Sequence, residues 1–171
     1  MDRMDDRTSK SVCLISAIAL GCFMTSVGAQ RRAPGQAPAN QAIQAALKVG
    51  GGTYQSSQPG RCTHAPVASI YKTMAEMWTV QQSTGGQSLS LTLWKPKDGS
   101  ADMVSLAVTS GNLSHQVNTV RGGTTAGSGK VTLEKAGTGG IFNVDAKSGT
   151  GAPIGGTIKC DAFAPHMAEG G

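Results

Sequence analysis

Aromatic side chains are scarce in this sequence, which has two Trp, two Tyr and three Phe, 4% of the chain. Charged residues are also thin, at 15%. Helical bundles and coiled coils need Ala, Glu, Lys, Leu and Arg in quantity, so this composition argues against them. No G-x-S-x-G nucleophile elbow and no H-E-x-x-H zinc motif is present. Carboxylates after residue 29 are few: Glu76, Asp98, Asp102, Glu134, Asp145, Asp161 and Glu169, and nothing selects two of them as an acid–base pair. A basic stripe with interleaved aromatics is missing too, which argues against nucleic acid. The net charge of +5 is carried by scattered residues such as Lys72, Lys95, Lys130, Lys147 and Lys159, with one cluster at Arg31-Arg32. That pattern fits solvated surface charge, with at most weak attraction to an anionic envelope surface.

Glycine, at 24 residues, is abundant, and short alternating runs lie between the glycines. Ser88 to Val108 is the clearest. Leu89, Leu91 and Leu93 alternate with Ser88, Ser90 and Thr92, and Val104, Leu106 and Val108 repeat the pattern after the turn residues at Asp98-Gly99. This is the period of a half-buried strand, and the two runs read as a β-hairpin. Phe142, Val144 and Ala146 alternate in the same way, and Val131 and Leu133 point inward from another strand. Val67 to Trp78 fits a helix or a pair of strands; the β-prone Trp78-Thr79-Val80 favours strands, at Val67–Tyr71 and Met77–Gln82. The whole reads as an all-β, antiparallel, immunoglobulin-like β-sandwich of about seven to nine short strands.

The sandwich is expected over 51–164, followed by a frayed tail at 165–171. Residues 30–50, with Pro34, Gly35 and Pro38 among Ala and Gln, read as a linker. Asn40 would cap a short helix from Gln41 to Lys48, with Ile43, Ala46 and Leu47 on one face. Residues 1–29 read as a secretory signal: Lys10, an apolar run from Val12 to Met24, then Val27-Gly28-Ala29 before Gln30. Asp2, Asp5 and Asp6 depart from the usual positive n-region, which a start site placed too early would explain. Ala19-Leu20-Gly21-Cys22 also resembles a bacterial lipobox, so lipidation at Cys22 is an alternative to soluble export, and an uncleaved anchor is a third.

Cys62 and Cys160 are the cysteines left after signal removal, and in an oxidising compartment they are expected to form a disulfide. The competing reading adds His64 and His166 as metal ligands, but the spacing matches no standard zinc pattern. Gly122 to Lys130 imitates a P-loop and fails: Val131 stands where Ser or Thr should hold Mg²⁺, and a strand follows instead of a helix. No cofactor and no metal is implied. Ser114-His115 are adjacent on an expected strand, so their side chains diverge, which does not suit a triad. Trp94 is in phase with Ser90 and Thr92. It is therefore expected outside the leucine row, as a rim cover or as a contact for a ligand or partner.

Cys62, Trp94, the segment Gly-Ser-Gly-Lys-Val-Thr-Leu at 127–133 and the closing Gly-Thr-Ile-Lys-Cys at 156–160 resemble small secreted or lipid-anchored bacterial sandwich proteins. The C-terminal third is similar to mycobacterial lipoprotein antigens, which end in a comparable strand with a disulfided cysteine. The resemblance implies fold and compartment, periplasmic or secreted, and supplies no active site. The leading expectation is an exported, non-catalytic module that binds an envelope component, a small ligand or a protein. The alternatives are a surface lipoprotein held to a membrane through Cys22 and a hydrolase with an unrecognised site.

Overall fold

The computed structural model describes residues 40–166. The signal at 1–29, Cys22, the linker through residue 39 and the tail from 167 lie outside the described residues.

β1 (Gln41–Val49) and β2 (Gly52–Ser56) form a first hairpin. β3 (Pro59–Ile70), β4 (Thr73–Thr84), β5 (Gln87–Pro96), β6 (Met103–Ser110) and β7 (Leu113–Asn118) follow as an antiparallel meander. β8 (Ser128–Ala136), β9 (Gly139–Lys147) and β10 (Pro153–Cys160) form a second meander, and a short β11 (Ala164–Pro165) runs parallel to β3. The spatial order is β7-β6-β5-β4-β3-β1-β10-β9-β8, with β2 beside β1 and β11 beside β3. The fold is all-β, as the alternating runs predict. The eleven strands among the described residues exceed the expected number because β1, β2 and β11 add to the meanders.

The joint between the two meanders is β1. Gln41 and Ala42 pair with Gly60 and Pro59 of β3, while Ile43 to Val49 pair with Cys160 to Ile154 of β10. One strand therefore serves both halves, and the halves fold over one core. Ile43, Leu47, Trp78, Leu91, Leu106, Val131, Phe142 and Ile158 meet in that core, all buried. Far from the joint, an Asn118–Ala126 bridge and a hydrogen bond from Gly149 N to Gln116 O (2.9 Å) draw the outer strands together.

β1 corrects the expectation of a helix at Gln41–Lys48 and a domain start at residue 51. Its burial alternates without a break: Gln41, Ile43, Ala45, Leu47 and Val49 are buried, and the residues between them are exposed. Ala and Gln favour helix intrinsically, and Ile43 and Leu47 are spaced as on a helix face. Ladders on both edges outweigh that preference, since a helix here would leave β2 unpaired and bare one edge of β10. Residues 165 and 166, expected to be frayed, are paired instead. Ala164 and Pro165 pair with Thr63 and His64, and His166 N donates to His64 O at 2.9 Å. Val67 to Trp78 takes the two-strand alternative, as β3 and β4.

Three devices lock the joint. Cys62 of β3 and Cys160 of β10 are disulfide-bonded, with Cα atoms 6.2 Å apart and both residues buried. Gln82 of β4 donates from Nε2 to Ile43 O (3.2 Å) and Gln58 O (2.6 Å), and its Oε1 accepts from the Tyr54 hydroxyl at 3.0 Å. Gln41 clasps the chain beyond β10: its Nε2 donates to Ala162 O, and its Oε1 accepts from Ala162 N at 2.9 Å. Close backbone approach demands glycine at Gly156, where φ is +141° and a Cβ would lie 2.1 Å from Ala46 O.

Candidate functional site

Several strands carry an inward row of apolar residues that ends in charge. On β4 the row of Val80 and Trp78 ends in Glu76, on β5 the row of Leu89, Leu91 and Leu93 ends in Lys95, and on β8 the row of Val131 and Leu133 ends in Lys135. His64 occupies the matching place on β3, directly across the ladder from Trp78, and Glu76 lies across from Lys95. These ends converge at one rim of the sandwich, where water meets the core.

Trp78 is the centre of the rim and is only 1% exposed. The His64 ring stacks on it, with centroids 4.7 Å apart and planes 12° from parallel. Lys135 Nζ sits over the same indole at 4.8 Å from its centroid, and Lys95 Nζ at 5.8 Å. Both distances are within cation–π reach. Glu76 bridges the two halves of the fold: Oε1 is 3.8 Å from His64 Nε2, and Oε2 is 3.9 Å from Lys135 Nζ.

Burial pushes the His64 pKa below the ordinary histidine value; Glu76 opposes that shift and Lys135 reinforces it. His64 is therefore neutral at pH 7, and its Nε2 is buried without a hydrogen-bond partner. Two lysines against one carboxylate leave the rim with one excess positive charge. Such a rim can hold an anionic group through Lys95 and Lys135, above the covered indole. His64 and Glu76 do bring an imidazole and a carboxylate together, but at 3.8 Å they are not hydrogen-bonded.

At the far end of β5, beyond the Leu89–Val108 pair, lies a second feature. Val49, Tyr54, Val108, Leu113 and His115 line a pocket of about 80 Å³. His115 Nδ1 is buried there and has no hydrogen-bond partner.

The residues singled out from sequence are distributed as follows. Cys62 and Cys160 form the expected disulfide, so neither offers a thiolate to a metal. Among the described residues no group of three or more His, Cys, Asp or Glu could hold a metal ion. His166 is occupied elsewhere, with Nδ1 3.1 Å from the Thr63 hydroxyl. Trp94 lies on β5 between Met77 and Met103, half-buried and outside the leucine row, and it takes no part in the rim cluster. Ser114 is exposed on β7 while His115 turns to the pocket. Ser128 to Lys130 of the P-loop imitation already belong to β8, so a strand follows that loop. Among the described residues no helix is long and apolar enough to cross a membrane.

Sequence reasoning missed the rim because its members come from four strands. A signal was nevertheless present: Glu76, Lys95 and Lys135 each continue an inward apolar row in phase, and a charge in phase with the core marks a strand end at a rim. No protein-family model, curated protein or solved structure matches the chain.

Proposed function

We propose that this chain is an exported, non-catalytic β-sandwich module of the bacterial envelope that uses its rim to bind a ligand or protein bearing an anionic group. The observation that carries the reading is the buried Cys62–Cys160 disulfide at the joint of the two halves. Disulfides persist in oxidising compartments and are rare in the cytosol. The apolar run from Val12 to Met24 and the small residues Val27-Gly28-Ala29 agree with that compartment. The binding role is supported by Lys95 and Lys135 gathered over Trp78, with one carboxylate between them.

Intact mass spectrometry of protein from its native envelope, alkylated with and without reduction, tests the reading. The expected mass begins at Gln30 and gains two alkyl groups only after reduction. An acylated N-terminus at Cys22 would move the same module onto a membrane as a lipoprotein. A chain that retains Met1 and alkylates freely without reduction would overturn export and bridge together.

A further inference from the structure

Among the described residues, the exposed large apolar side chains are Val67 (59%), Tyr71 (62%), Met74 (49%) and Leu113 (67%). The first three share one hairpin, formed by the ends of β3 and β4. Ile70 pairs with Thr73, so Tyr71 and Lys72 are the two central residues of the turn. Both have positive φ, 45° and 69°. Turns of this kind favour Asn-Gly, and a bulky residue at positive φ is costly. Folding alone would be served better by ordinary turn residues. A local rule broken by a bulky side chain that stays 62% exposed points to a use beyond the turn itself.

The strained turn is held in place. A Cβ at Gly122 would lie 3.0 Å from the Tyr71 ring, and one at Gly123 would lie 3.1 Å from its hydroxyl. The two glycines leave room for the ring beside them, and Tyr71 as a whole remains 62% exposed. The tip is thus preorganised, with an aromatic side chain already presented. Charge surrounds it: Lys72 is in the turn, and Lys97 follows β5, with Lys97 N bonded to Met74 O at 2.9 Å. Of the nearby acids, Asp98 is folded back onto Ser100 N and Oγ and faces the charge of Arg121. Lys72, Lys97 and Arg121 against Asp98 and Asp102 leave this end positive.

We propose that the β3–β4 hairpin docks the domain on an anionic lipid surface, with Val67, Tyr71 and Met74 entering the interface and Lys72 and Lys97 facing the headgroups. Tyrosine at the headgroup level, apolar neighbours below it and lysines around it are the elements that interfacial binding requires. The inference rests on the export reading only in that an envelope surface must be within reach. The vesicle experiment below probes the hairpin directly, so it fails or succeeds independently of the N-terminal mass.

The test uses the full chain with Trp94→Phe as background. One variant adds Tyr71→Trp, and a control adds Leu113→Trp on the β7 side. Each is bound to phosphatidylglycerol vesicles whose acyl chains are brominated, and tryptophan quenching is read. The expected result is strong quenching at position 71, little at 113, and severalfold less at 71 with phosphatidylcholine vesicles. Val67→Ser with Met74→Ser, both at exposed positions, reduces the position-71 quenching severalfold. Equal quenching at 71 and 113, or no quenching at 71 in vesicle-bound protein, overturns the proposal. So does a vesicle-free oligomer that the Val67→Ser, Met74→Ser pair dissolves, which would assign the patch to a second copy of this chain.

Discussion

Gln82 is the sharpest place to test how the joint is held. Its side chain satisfies the Tyr54 hydroxyl, Ile43 O and Gln58 O at once. Gln82→Met keeps the length and removes all three bonds. Gln58 O retains a donor in Ile43 N at 3.0 Å, so the main loss falls on the Tyr54 hydroxyl and Ile43 O. Leaving such buried groups unpaired costs about 2–4 kcal/mol in total. Tyr54→Phe removes the hydroxyl and leaves Gln82 Oε1 without its donor, at about 1–2 kcal/mol. The double variant removes both ends of the Tyr54–Gln82 bond, so neither is stranded. It is expected to cost at least about 1 kcal/mol less than the sum of the single variants. Urea unfolding with the disulfide intact measures this, provided the slope is the same for all four proteins. At about 2 kcal/mol/M, Gln82→Met lowers the midpoint by roughly 1–2 M. Costs that add to within about 0.5 kcal/mol would refute the coupling and with it the view of Gln82 as a shared clamp.

Removing the disulfide with Cys62→Ala and Cys160→Ala releases a closed loop with a sequence separation of 98. The chain-entropy estimate is a loss of about 4–5 kcal/mol, and a drop in urea stability below about 1 kcal/mol would contradict it. Gly156→Ala places a Cβ against Ala46 O, so unfolding at lower urea, or failure to accumulate folded protein, is expected; wild-type stability would show that β1 and β10 are not so close. His64 resists protonation when folded, so below its unfolded value of 6.5 the unfolded chain binds more protons. That contribution to stability is present above this pH and is lost as pH falls from it through the lower folded value. His64→Gln should flatten the decline between neutral and mildly acid urea titrations, and an unchanged slope would refute the assignment. In an NMR titration of the His64 ring, Lys135→Met raises its pKa and Glu76→Gln lowers it further, because those two charges act on it with opposite sign.

Much of the fold was legible where one face of a strand meets the core and the other meets water. Leu89, Leu91 and Leu93, then Val104, Leu106 and Val108, are buried as their alternation predicts, and Phe142, Val144 and Ala146 likewise. The segment at Gln41–Val49 misled because Ile43 and Leu47 satisfy both periods, and only distant partners decide between them. The disulfide was legible from the cysteine count, since Cys62 and Cys160 are the two that remain outside the expected signal. The rim was not legible as a cluster: Lys135 and Trp78 are far apart in sequence and meet only when the halves close. Trp94 drew attention because it stands out of phase with the leucines. Trp78, in phase with Val80, is the tryptophan of the rim cluster, because the inward row carries its ring beneath His64, Lys95 and Lys135.

The position of β1 also governs when the molecule can exist. The first described strand lies in the middle of the spatial order, between β3 and the last long strand, β10. A growing chain can form the β3–β7 meander early, since its neighbours are local in sequence. β1 has no partner along its β10 edge until residues 153–160 have been made. Pairing the ends of a chain carries a large closure entropy and is slow. β1 can pair early with β2, but its other edge stays bare until those residues have been made, so the two halves close late. The last long strand to be made is thus the one that seals the molecule.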